Sequence, residues 1–261
     1  MADSEYLKVA KQAALEAGEI IRQYAGKIHK KTIKNDDVSD FATEADIEAE
    51  KAITTVLTKA FPDHNIIAEE DGTIDKKSNF TWVVDPLDGS FSFETGVPFF
   101  SVSIGLLEDK MPVLGVILNV TTKEMYWAQK DKGAFLNDQQ IHVSSTDKLN
   151  EAAGVLDFGH IKKRQSKLDL YINPLLTKVG YPYSFGSAVA VLGMVGQGIL
   201  DLDINQAWVW DFVAGAVIVR ESGGKITDFE GNEPDWTKER LNIIASNGLL
   251  HDQILNILKN V

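Results

Sequence analysis

The stretch WVVDPLDGSFSF (Trp82–Phe93) decides the fold, because an apolar strand there ends in two carboxylates. Asp85 follows the apolar run directly and Asp88 comes three residues later, while Pro86 and Gly89 restrict the turn. A tight turn needs only one such acid. The second acid indicates that something positive is held where this strand ends.

The first half of the chain is typical of an α+β unit. Helical spacing over 4–25, with Ser4 or Asp3 as the cap, predicts one helix, and a second begins near Thr43. Residues 30–40, KKTIKNDDVSD, are interpreted as a polar, flexible connection. Alternating and β-branched segments then predict strands at 65–69, 81–85, 101–107, 112–118 and 124–129, the last three antiparallel, followed by a hairpin turning at Asn137-Asp138.

The second half alternates strands and helices, which is typical of an α/β unit. The predicted strands are 153–159, 183–186, 199–204, 225–229 and 242–246, and the predicted helices are 162–179, 187–197, 211–221 and 248–259. No Pro/Ser-rich linker separates the halves. We therefore expect a single catalytic unit over 1–261, with an N-terminal α+β lobe (1–148) and a C-terminal α/β lobe (149–261).

Composition and charge exclude several classes of protein. With 44% hydrophobic and 25% charged residues, the 261-residue chain is globular rather than disordered. Its formal net charge of −12 repels phosphate backbones, so we expect no nucleic-acid partner. Without cysteine there is no disulfide framework and no thiolate zinc site, and no segment has the pattern of a signal peptide or a membrane span. The expectation is a soluble, cytoplasmic protein that binds no membrane.

Carboxylates interrupt the core pattern at four places. They are Glu69 and Glu70 in AEEDG, Asp85 and Asp88 in DPLDGS, Asp211 in WDFVAG and Asp46 in TEAD.

Outside the DPLDGS turn, each of these acids also has a purely structural interpretation. Asp46 fits a capping box with Thr43. Glu69 and Glu70 fit a solvated strand end, and Asp211 fits a plain helix cap. The DPLDGS acids are harder to explain in this way, since they follow a strand too apolar for a surface loop.

Taken together, the acids predict a site for hard divalent cations. Converging carboxylates raise one another's pKa unless cations neutralise them. Oxygen ligands without His or Cys favour Mg²⁺, Mn²⁺ or Ca²⁺ over Zn²⁺, and the five histidines show no metal-binding spacing. Two Mg²⁺ ions bridged by a shared carboxylate would activate water and stabilise a leaving phosphate oxygen.

The GSFSF segment after the acids offers groups that could bind an anion. If a helical turn begins there, the N–H groups of Gly89 and Ser90 point toward such a ligand; the alternative is a plain turn. A serine nucleophile is disfavoured, because no histidine partner is evident and the GxSxG pattern is missing. We therefore interpret the Ser90 hydroxyl as a group that orients water.

Six segments resemble the inositol monophosphatase family, which belongs to the lithium-sensitive, Mg²⁺-dependent phosphatases. They run in order over nearly the whole chain: DFATEAD (40–46), AEEDG (68–72), WVVDPLDGSFSFETGVPFFSVSIGL (82–106), GAFLN (133–137), GSAVAVLGMVGQGILDLDI (186–204) and WDFVAGAVIVRESGG (210–224).

The resemblance implies a fold, a reaction and a set of metal ligands. The fold is a layered α/β/α/β/α sandwich of the sugar-phosphatase type (inositol monophosphatase and fructose-1,6-bisphosphatase), usually assembled as a homodimer. The reaction is hydrolysis of a small phosphate monoester by metal-activated water. Two or three Mg²⁺ ions per subunit are implied: the first on Glu69, Asp85 and the Leu87 carbonyl, the second on Asp85, Asp88 and Asp211, and a weaker third near Glu69.

It also implies catalytic and phosphate-binding roles. Ser90, where the family usually has Thr, would orient the attacking water and donate a hydrogen bond to Asp46, and Glu70 would be a supporting acid. The amides of Gly89 and Ser90 would hold the phosphate. A family lysine near the metals aligns loosely with Lys34.

The resemblance further implies which residues bind the substrate. Gly186, Ser187 and Ala188 match the loop that touches the alcohol portion. Asn205 stands where inositol-specific members carry a Glu that reads sugar hydroxyls, and Asp203 is the nearest acid. Trp208 either walls the pocket or is a buried or interface residue.

The function expected from all this is a Mg²⁺-dependent phosphatase of small polyol or sugar phosphates, with inositol 1-phosphate (EC 3.1.3.25 type) as lead substrate. The alternatives are a fructose-1,6-bisphosphatase, a histidinol-phosphate or NADP phosphatase, or a regulatory protein that binds partners through the same fold. No basic cluster is evident near the substrate segments, which disfavours large nucleotide substrates.

Overall fold

The computed structural model describes residues 4–27, 31–34 and 37–259, with 37–40 described by their backbone alone. The α-helices are α1 (Glu5–Tyr24), α2 (Glu44–Ala60), α3 (Ser90–Thr95), α4 (Ile161–Lys167), α5 (Asn173–Leu176), α6 (Ala188–Gly196), α7 (Val209–Glu221) and α8 (His251–Leu258). The strands are β1 (Lys31–Lys34), β2 (Asp37–Thr43), β3 (Asn65–Ala68), β4 (Gly72–Ile74), β5 (Phe80–Asp88), β6 (Ser101–Glu108), β7 (Met111–Asn119), β8 (Met125–Gln129), β9 (Ala134–Leu136), β10 (Gln139–Ile141), β11 (Ala153–Leu156), β12 (Tyr181–Tyr183), β13 (Leu202–Trp208), β14 (Lys225–Thr227) and β15 (Arg240–Ser246).

Caps begin the first two helices where the sequence predicts them. The Ser4 hydroxyl accepts a hydrogen bond from the Leu7 N–H at 3.2 Å, which satisfies one of the free donors at the start of α1. Thr43 caps α2 in a capping box with Asp46. The apolar faces of both helices are buried, so the apolar periodicity in the sequence correctly identifies the side of each helix that packs in the core.

The elements stack in five layers, which confirms the predicted α/β/α/β/α sandwich. Helices α1 and α2 cover one face of a sheet ordered β10-β9-β8-β7-β6-β5-β3-β4. Helices α6 and α7 lie between that sheet and a second one, ordered β12-β11-β13-β15-β14. Apolar side chains of α5 and α8 pack on the outer face of the second sheet. The predicted antiparallel order β6-β7-β8 is confirmed.

Helix α7 crosses the larger sheet at two glycines. A Cβ on Gly115 would lie 2.1 Å from the Ala214 carbonyl oxygen, and one on Gly105 would lie 2.4 Å from the Val213 side chain. The helix can approach the strands this closely only because both positions lack a side chain. This approach sets the position of Asp211, in the first turn of α7, relative to the end of β5.

The structure corrects several sequence-based boundaries. The connection at 30–40, of which 30, 35 and 36 lie outside the described residues, contributes to an antiparallel hairpin of β1 and β2. The strand predicted at 183–186 is instead β12, and residues 184–186 form a loop. The helix predicted over 162–179 is divided into α4, a π-helical turn (Leu168–Ile172) and α5. Strand β4 was missed because it has only three residues, and the strand predicted at 199–204 instead begins at Leu202 and extends to Trp208. A helical turn, one of the two alternatives left open after Gly89, is present as α3.

Within the described residues, no helix is both long and apolar enough to cross a lipid bilayer.

Candidate active site

A bulge at the end of β5 explains the two acids of the DPLDGS turn. Asp85 pairs with Ser103 and Asp88 with Ser101, so β5 contains one residue more than β6 between these pairs. Side chains three apart on a regular strand point to opposite faces, but one extra residue returns both to the same side. The Leu87 N–H donates to Asp85 Oδ1 at 3.0 Å and fixes the turn.

The AEEDG acids lie beside this bulge, because β3 and β5 are parallel neighbours and end at the same edge. The Glu69 N–H donates to the Val84 carbonyl at 3.3 Å. From the β1–β2 hairpin, the Lys34 ammonium reaches Glu69 Oε1 at 2.8 Å and Glu70 Oε1 at 2.7 Å. Burial lowers the pKa of Lys34, but attraction to the two glutamates outweighs it and raises that pKa overall.

Asp211 reaches the same point from the second half of the chain. It lies in the first turn of α7, where its Oδ2 accepts a hydrogen bond from the Trp208 N–H at 2.7 Å. The interpretation as a helix cap is therefore confirmed geometrically, and it does not exclude a second role. Capping holds one carboxylate oxygen and fixes the direction of the carboxylate as a whole.

Asp85, Asp88 and Asp211 form the centre of the site, with one ligand oxygen from each within 4.8 Å of the others. Burial, followed by repulsion from neighbouring carboxylates, raises the pKa of Asp85 and Asp211 well above the ordinary value. Burial raises the pKa of Asp88 to about 6. Three hard oxygen donors at this spacing fit the ligand preference of Mg²⁺, Mn²⁺ or Ca²⁺.

This acid cluster should make the metal-free protein less stable as pH rises from about 4 to about 7. The raised pKa values mean that the folded state binds protons more tightly than the unfolded state, so unfolding releases protons in that window. The difference between 3.8 and about 6 at Asp88 corresponds to about 3 kcal/mol. Scanning calorimetry at pH 5 and 7.5 in EDTA should show the loss, and saturating Mg²⁺ should remove most of it. An equal pH dependence with and without Mg²⁺ would contradict the assignment.

Asp46 accepts hydrogen bonds both from Thr43, the cap of α2, and from Ser90 in the DPLDGS turn. Its Oδ2 accepts from the Thr43 N–H at 2.8 Å and from the Thr43 hydroxyl at 2.5 Å, while its Oδ1 accepts from the Ser90 hydroxyl at 2.8 Å. The side chain is fully buried, and burial raises its pKa. The Leu87 carbonyl, 2.9 Å away, is a second acceptor for the one Ser90 proton.

Gly89 begins α3 in the left-handed conformation, with φ of +88°. A Cβ there would lie 2.9 Å from the Phe99 carbonyl oxygen, so the turn requires glycine. The first N–H groups of the helical turn that follows have no acceptor within the helix. They begin beside Asp88, at the point where the sequence predicts an anion site.

The loop 186–188 is attached to Asp88. The Ser187 hydroxyl and the Val189 N–H, the latter at 2.8 Å, both donate to Asp88 Oδ2. Gly186 has φ of +70°, and Ser187 caps α6. The sequence-predicted substrate loop is therefore next to the acid cluster and fixes one of its members.

One open cavity of about 1030 Å³ is lined by the acids Glu69, Asp85, Asp88 and Asp211, by residues 87, 89 and 90, by the loop 186–188, and by Asn205 and Trp208. Asp46 and Glu70 are not part of its lining. Asn205 Oδ1 lies 3.3 Å from the buried Lys167 ammonium, which also forms an ion pair with Asp157 at 2.5 Å. Asp203, by contrast, is fully buried and not part of the cavity lining. Neither of its carboxylate oxygens has a hydrogen-bond partner in the described part of the chain.

Trp208 lies at the edge of the cavity, as one of its two predicted locations requires. Its ring stacks on that of Trp210 with centroids 4.9 Å apart, and the Arg240 guanidinium lies 3.9 Å from its centroid. Lys163 and Arg164 also line the cavity. The expectation that no basic cluster lies near the substrate segments is therefore wrong, because α4 and β15 bring cations to the cavity from distant parts of the sequence.

Sequence reasoning missed other polar residues of the site. Glu50 accepts hydrogen bonds from the N–H groups of Glu70 at 2.9 Å and Asp71 at 2.6 Å, and so holds the AEEDG turn. Burial raises its pKa to about 7. Glu50 is one helical turn after Asp46 on the buried face of α2, which was an available signal. Asp157 follows an apolar strand as Asp85 does, and Lys167 had no such signal.

Comparisons with known proteins agree with this geometry. The fructose-1,6-bisphosphatase/inositol-1-monophosphatase of Aquifex aeolicus is 35% identical over 259 residues, covering 98% of this chain and 96% of that protein. Inositol monophosphatase 2 of Solanum lycopersicum is 39% identical and covers 97% of this chain and 98% of its own. The crystal structure of extragenic suppressor protein suhB from Bartonella henselae superposes with a TM-score of 0.90 at 33% identity, covering 98% of this chain and 99% of that one.

The family model of the inositol monophosphatases matches residues 2–261, nearly the full length. Proteins of this family are metal-dependent phosphatases that hydrolyse phosphate monoesters. The chain therefore belongs to the inositol monophosphatase family.

Proposed function

We propose that this protein is a Mg²⁺-dependent phosphatase of small polyol or sugar phosphates, with inositol 1-phosphate as the lead substrate. The observation that carries the proposal is the convergence of Asp85, Asp88 and Asp211 within 4.8 Å at a cavity that Ser90 also lines. Family membership supplies the class of reaction. The relatives named above include inositol monophosphatases, which supports the choice of lead substrate.

The ligand assignment is the one that the family resemblance implies, and the convergence of Asp85, Asp88 and Asp211 supports it. Glu69, Asp85 and the Leu87 carbonyl would hold one Mg²⁺, and Asp85, Asp88 and Asp211 would hold a second; a third ion near Glu69 and Glu70 would compete with the Lys34 ammonium. When bound, the cations supply charge that favours a hydroxide nucleophile and stabilises the leaving oxygen. The positive charge of two hard cations would also offset the unfavourable free energy of burying these carboxylates.

Residues around the cluster would position the reactants. Ser90 donates to Asp46, so its lone pairs are free to accept a hydrogen bond from a water molecule in the cavity. The amides of Gly89 and Ser90 would bind the phosphate, and Glu70 would support the Glu69 side. Serine keeps the hydroxyl of the family's usual threonine but lacks the methyl group that restricts its rotamer.

The alcohol portion would lie against the loop 186–188 and Asn205. We expect Asn205 to read substrate hydroxyls together with its neighbours Asp157 and Lys167, since these supply both acceptors and a donor at the cavity. Polar groups at this side of the cavity fit a polyol, which has several hydroxyl groups, better than an apolar alcohol.

The same proposal covers the organisation of the molecule. Asp85 and Asp88 belong to the lobe 1–148 and Asp211 to the lobe 149–261, so neither lobe carries the full ligand set and 1–261 acts as a single catalytic unit. We also infer a homodimer, a cytoplasmic location suited to a chain without cysteine, and sensitivity to lithium, all three from the family resemblance or composition.

A panel of phosphate esters tests the function. Free phosphate would be measured with inositol 1-phosphate, fructose 1,6-bisphosphate, histidinol phosphate and NADP, each with Mg²⁺, Mn²⁺, Ca²⁺ or EDTA. We expect Mg²⁺-dependent release, with the highest kcat/KM on polyol or sugar phosphates, and none in EDTA. Absence of turnover on every ester with every metal would refute the enzymatic function and favour a regulatory protein of the same fold.

A further inference from the structure

Glu69 and Glu70 are consecutive in the sequence, yet their carboxylates reach the same point. The Lys34 ammonium lies 2.8 Å from Glu69 Oε1 and 2.7 Å from Glu70 Oε1. Successive side chains of a β-strand point to opposite faces, so a regular strand could not bring both acids to one ammonium. Strand β3 ends at Ala68, and residues 69–71 form a turn. The turn is therefore what makes these two acids converge.

The carboxylate of Glu50 holds this turn by two hydrogen bonds from its backbone. Glu50 Oε2 accepts from the Glu70 N–H at 2.9 Å, and Oε1 accepts from the Asp71 N–H at 2.6 Å. Successive N–H groups meet one anion only where the backbone turns and forms a small concavity. Hydrogen bonds to an ionised carboxylate are also stronger than those between neutral groups. Glu50 thus fixes the backbone on which Glu69 and Glu70 are presented.

The position of Glu50 is an unfavourable one for a carboxylate. Its side chain is fully buried on α2, and burial raises its pKa to about 7. It does not line the cavity, so a ligand there would not touch it. One helical turn earlier on α2, Asp46 accepts from the Ser90 hydroxyl. Two buried acids of one helix therefore reach two different parts of the site, the DPLDGS turn and the turn at 69–71.

A change in the turn at 69–71 would be transmitted to any cation that Glu69 binds. Mg²⁺ requires near-ideal octahedral geometry with oxygens at about 2.0–2.1 Å, so a small displacement of a ligand weakens binding. Without the two hydrogen bonds to Glu50, the chain after β3 is free to leave the turn. Glu70 would then point away from Glu69, and the Glu69 carboxylate would lose its fixed direction.

We propose that Glu50 is a positioning residue for the cation site at Glu69 and Glu70, and that its two hydrogen bonds set the Mg²⁺ affinity of that site. The inference rests on the proposed Mg²⁺-dependent function. It adds to that function a residue that touches neither the cation nor the substrate. Groups that orient metal ligands in this way typically contribute about 10–100-fold to metal affinity.

The test is a calorimetric titration of the full chain with Mg²⁺, without substrate. In Glu50→Gln the side-chain NH₂ cannot accept, so one of the two N–H groups loses its partner. We expect one Mg²⁺ binding step to weaken by about 10–100-fold. The step assigned to Asp85, Asp88 and Asp211 should stay within about three-fold of wild type. In EDTA the Tm should stay within about 4 °C of wild type, because removing a buried charge offsets the lost hydrogen bond.

Glu50→Asp separates contact from charge. It keeps the negative charge but is shorter by one methylene group, so it cannot reach both N–H groups. We expect Mg²⁺ affinity to fall as in Glu50→Gln. Wild-type affinity in Glu50→Asp, with weak binding in Glu50→Gln, would overturn the proposal, because charge alone would then attract the cation. Equal weakening of every step together with a much lower Tm would also overturn it and leave Glu50 a purely structural residue.

Glu48→Gln is the matched control, since Glu48 is an exposed glutamate of the same helix and does not line the cavity. It removes the same charge and should leave both binding steps at their wild-type affinities. An equal loss in Glu48→Gln would contradict the proposal, because a diffuse field would then explain the effect of Glu50→Gln.

Phosphate release separates this inference from the proposed function. Saturating Mg²⁺ should return the kcat of Glu50→Gln to within a few-fold of wild type, since the ligands themselves are intact. If the wild type binds Mg²⁺ but hydrolyses no ester, the phosphatase function fails and the titration still decides the role of Glu50. If Glu50→Gln binds Mg²⁺ as tightly as an active wild type does, the role of Glu50 alone is overturned. A wild type that binds no Mg²⁺ would overturn both.

Discussion

Asp88→Asn should lower kcat by about 10³-fold or more and shift the Mg²⁺ requirement to higher concentration. Asp88 belongs to the carboxylate group that converges within 4.8 Å, and the change removes one negative charge from it. An amide oxygen is a weaker ligand than a carboxylate oxygen for a hard cation, so the second Mg²⁺ of the proposed pair would bind less tightly. Phosphate release measured across a Mg²⁺ titration would show both effects.

The same change should stabilise the protein when metal is removed. Burial raises the pKa of Asp88 to about 6, so its ionised form is unfavourable in the folded state at neutral pH. The new amide oxygen can still accept from Ser187 and from the Val189 N–H, while its NH₂ group can donate to the neighbouring acids. We expect a gain of about 1–3 kcal/mol in EDTA at pH 7.5, seen as a rise in Tm of about 2–4 °C per kcal/mol.

The exposed Asp147 provides the control, since Asp147→Asn makes the same chemical change away from the cavity. It should alter neither turnover nor the Mg²⁺ midpoint. Near-normal activity of Asp88→Asn would refute the two-metal assignment. A loss of activity together with a lower Tm in EDTA would show that Asp88 is required for folding and not for cation binding.

Much of the fold was predictable because local patterns and global packing agree. The apolar faces of α1 and α2, and the β-branched strands β6, β7 and β8, lie where their periodicity predicts. Elements that depend on distant partners were not predictable. The β1–β2 hairpin is polar and solvent-exposed on β1, so no alternation of apolar residues marks it. The long helix after Asp157 is interrupted by a π-turn that composition does not reveal.

The candidate site was also predictable only in part. Asp85 and Asp88 were recognisable because two acids follow an apolar strand, yet only the register against β6 explains why both face one way. Asp46 and Asp211 both belong to helix caps, as their structural interpretation predicts. Asp46 also accepts a hydrogen bond from Ser90, and Asp211 lies in the acid cluster, but their functional roles stay predictions. The cavity also brings Lys163 and Arg164 of α4 near Arg240 of β15, and no spacing in the sequence could bring these cations together.

Asp46→Asn should lower kcat by about 10²–10⁴-fold, the range expected when a positioned proton acceptor is lost. The Asp46 oxygen that faces Thr43 accepts two hydrogen bonds, so the amide oxygen of the variant will take that place. The amide NH₂ then faces Ser90 and donates to its hydroxyl oxygen. The Ser90 proton must turn to the Leu87 carbonyl, and the amide occupies one of the two lone pairs of the hydroxyl, so the hydroxyl no longer presents the same acceptor geometry to the water.

Three readouts distinguish this effect from loss of metal or of structure. Both Thr43 bonds of the cap survive in Asp46→Asn, so Tm should change little. The Mg²⁺ midpoint should move far less than in Asp88→Asn, because Asp46 hydrogen-bonds to Thr43 and Ser90 and not to the acid cluster. Ser90→Thr, which keeps the hydroxyl, should retain kcat within a few-fold. If Asp46→Asn keeps more than about a tenth of the wild-type kcat, the path from Asp46 through Ser90 to the water is wrong, and Asp46 is a helix cap alone.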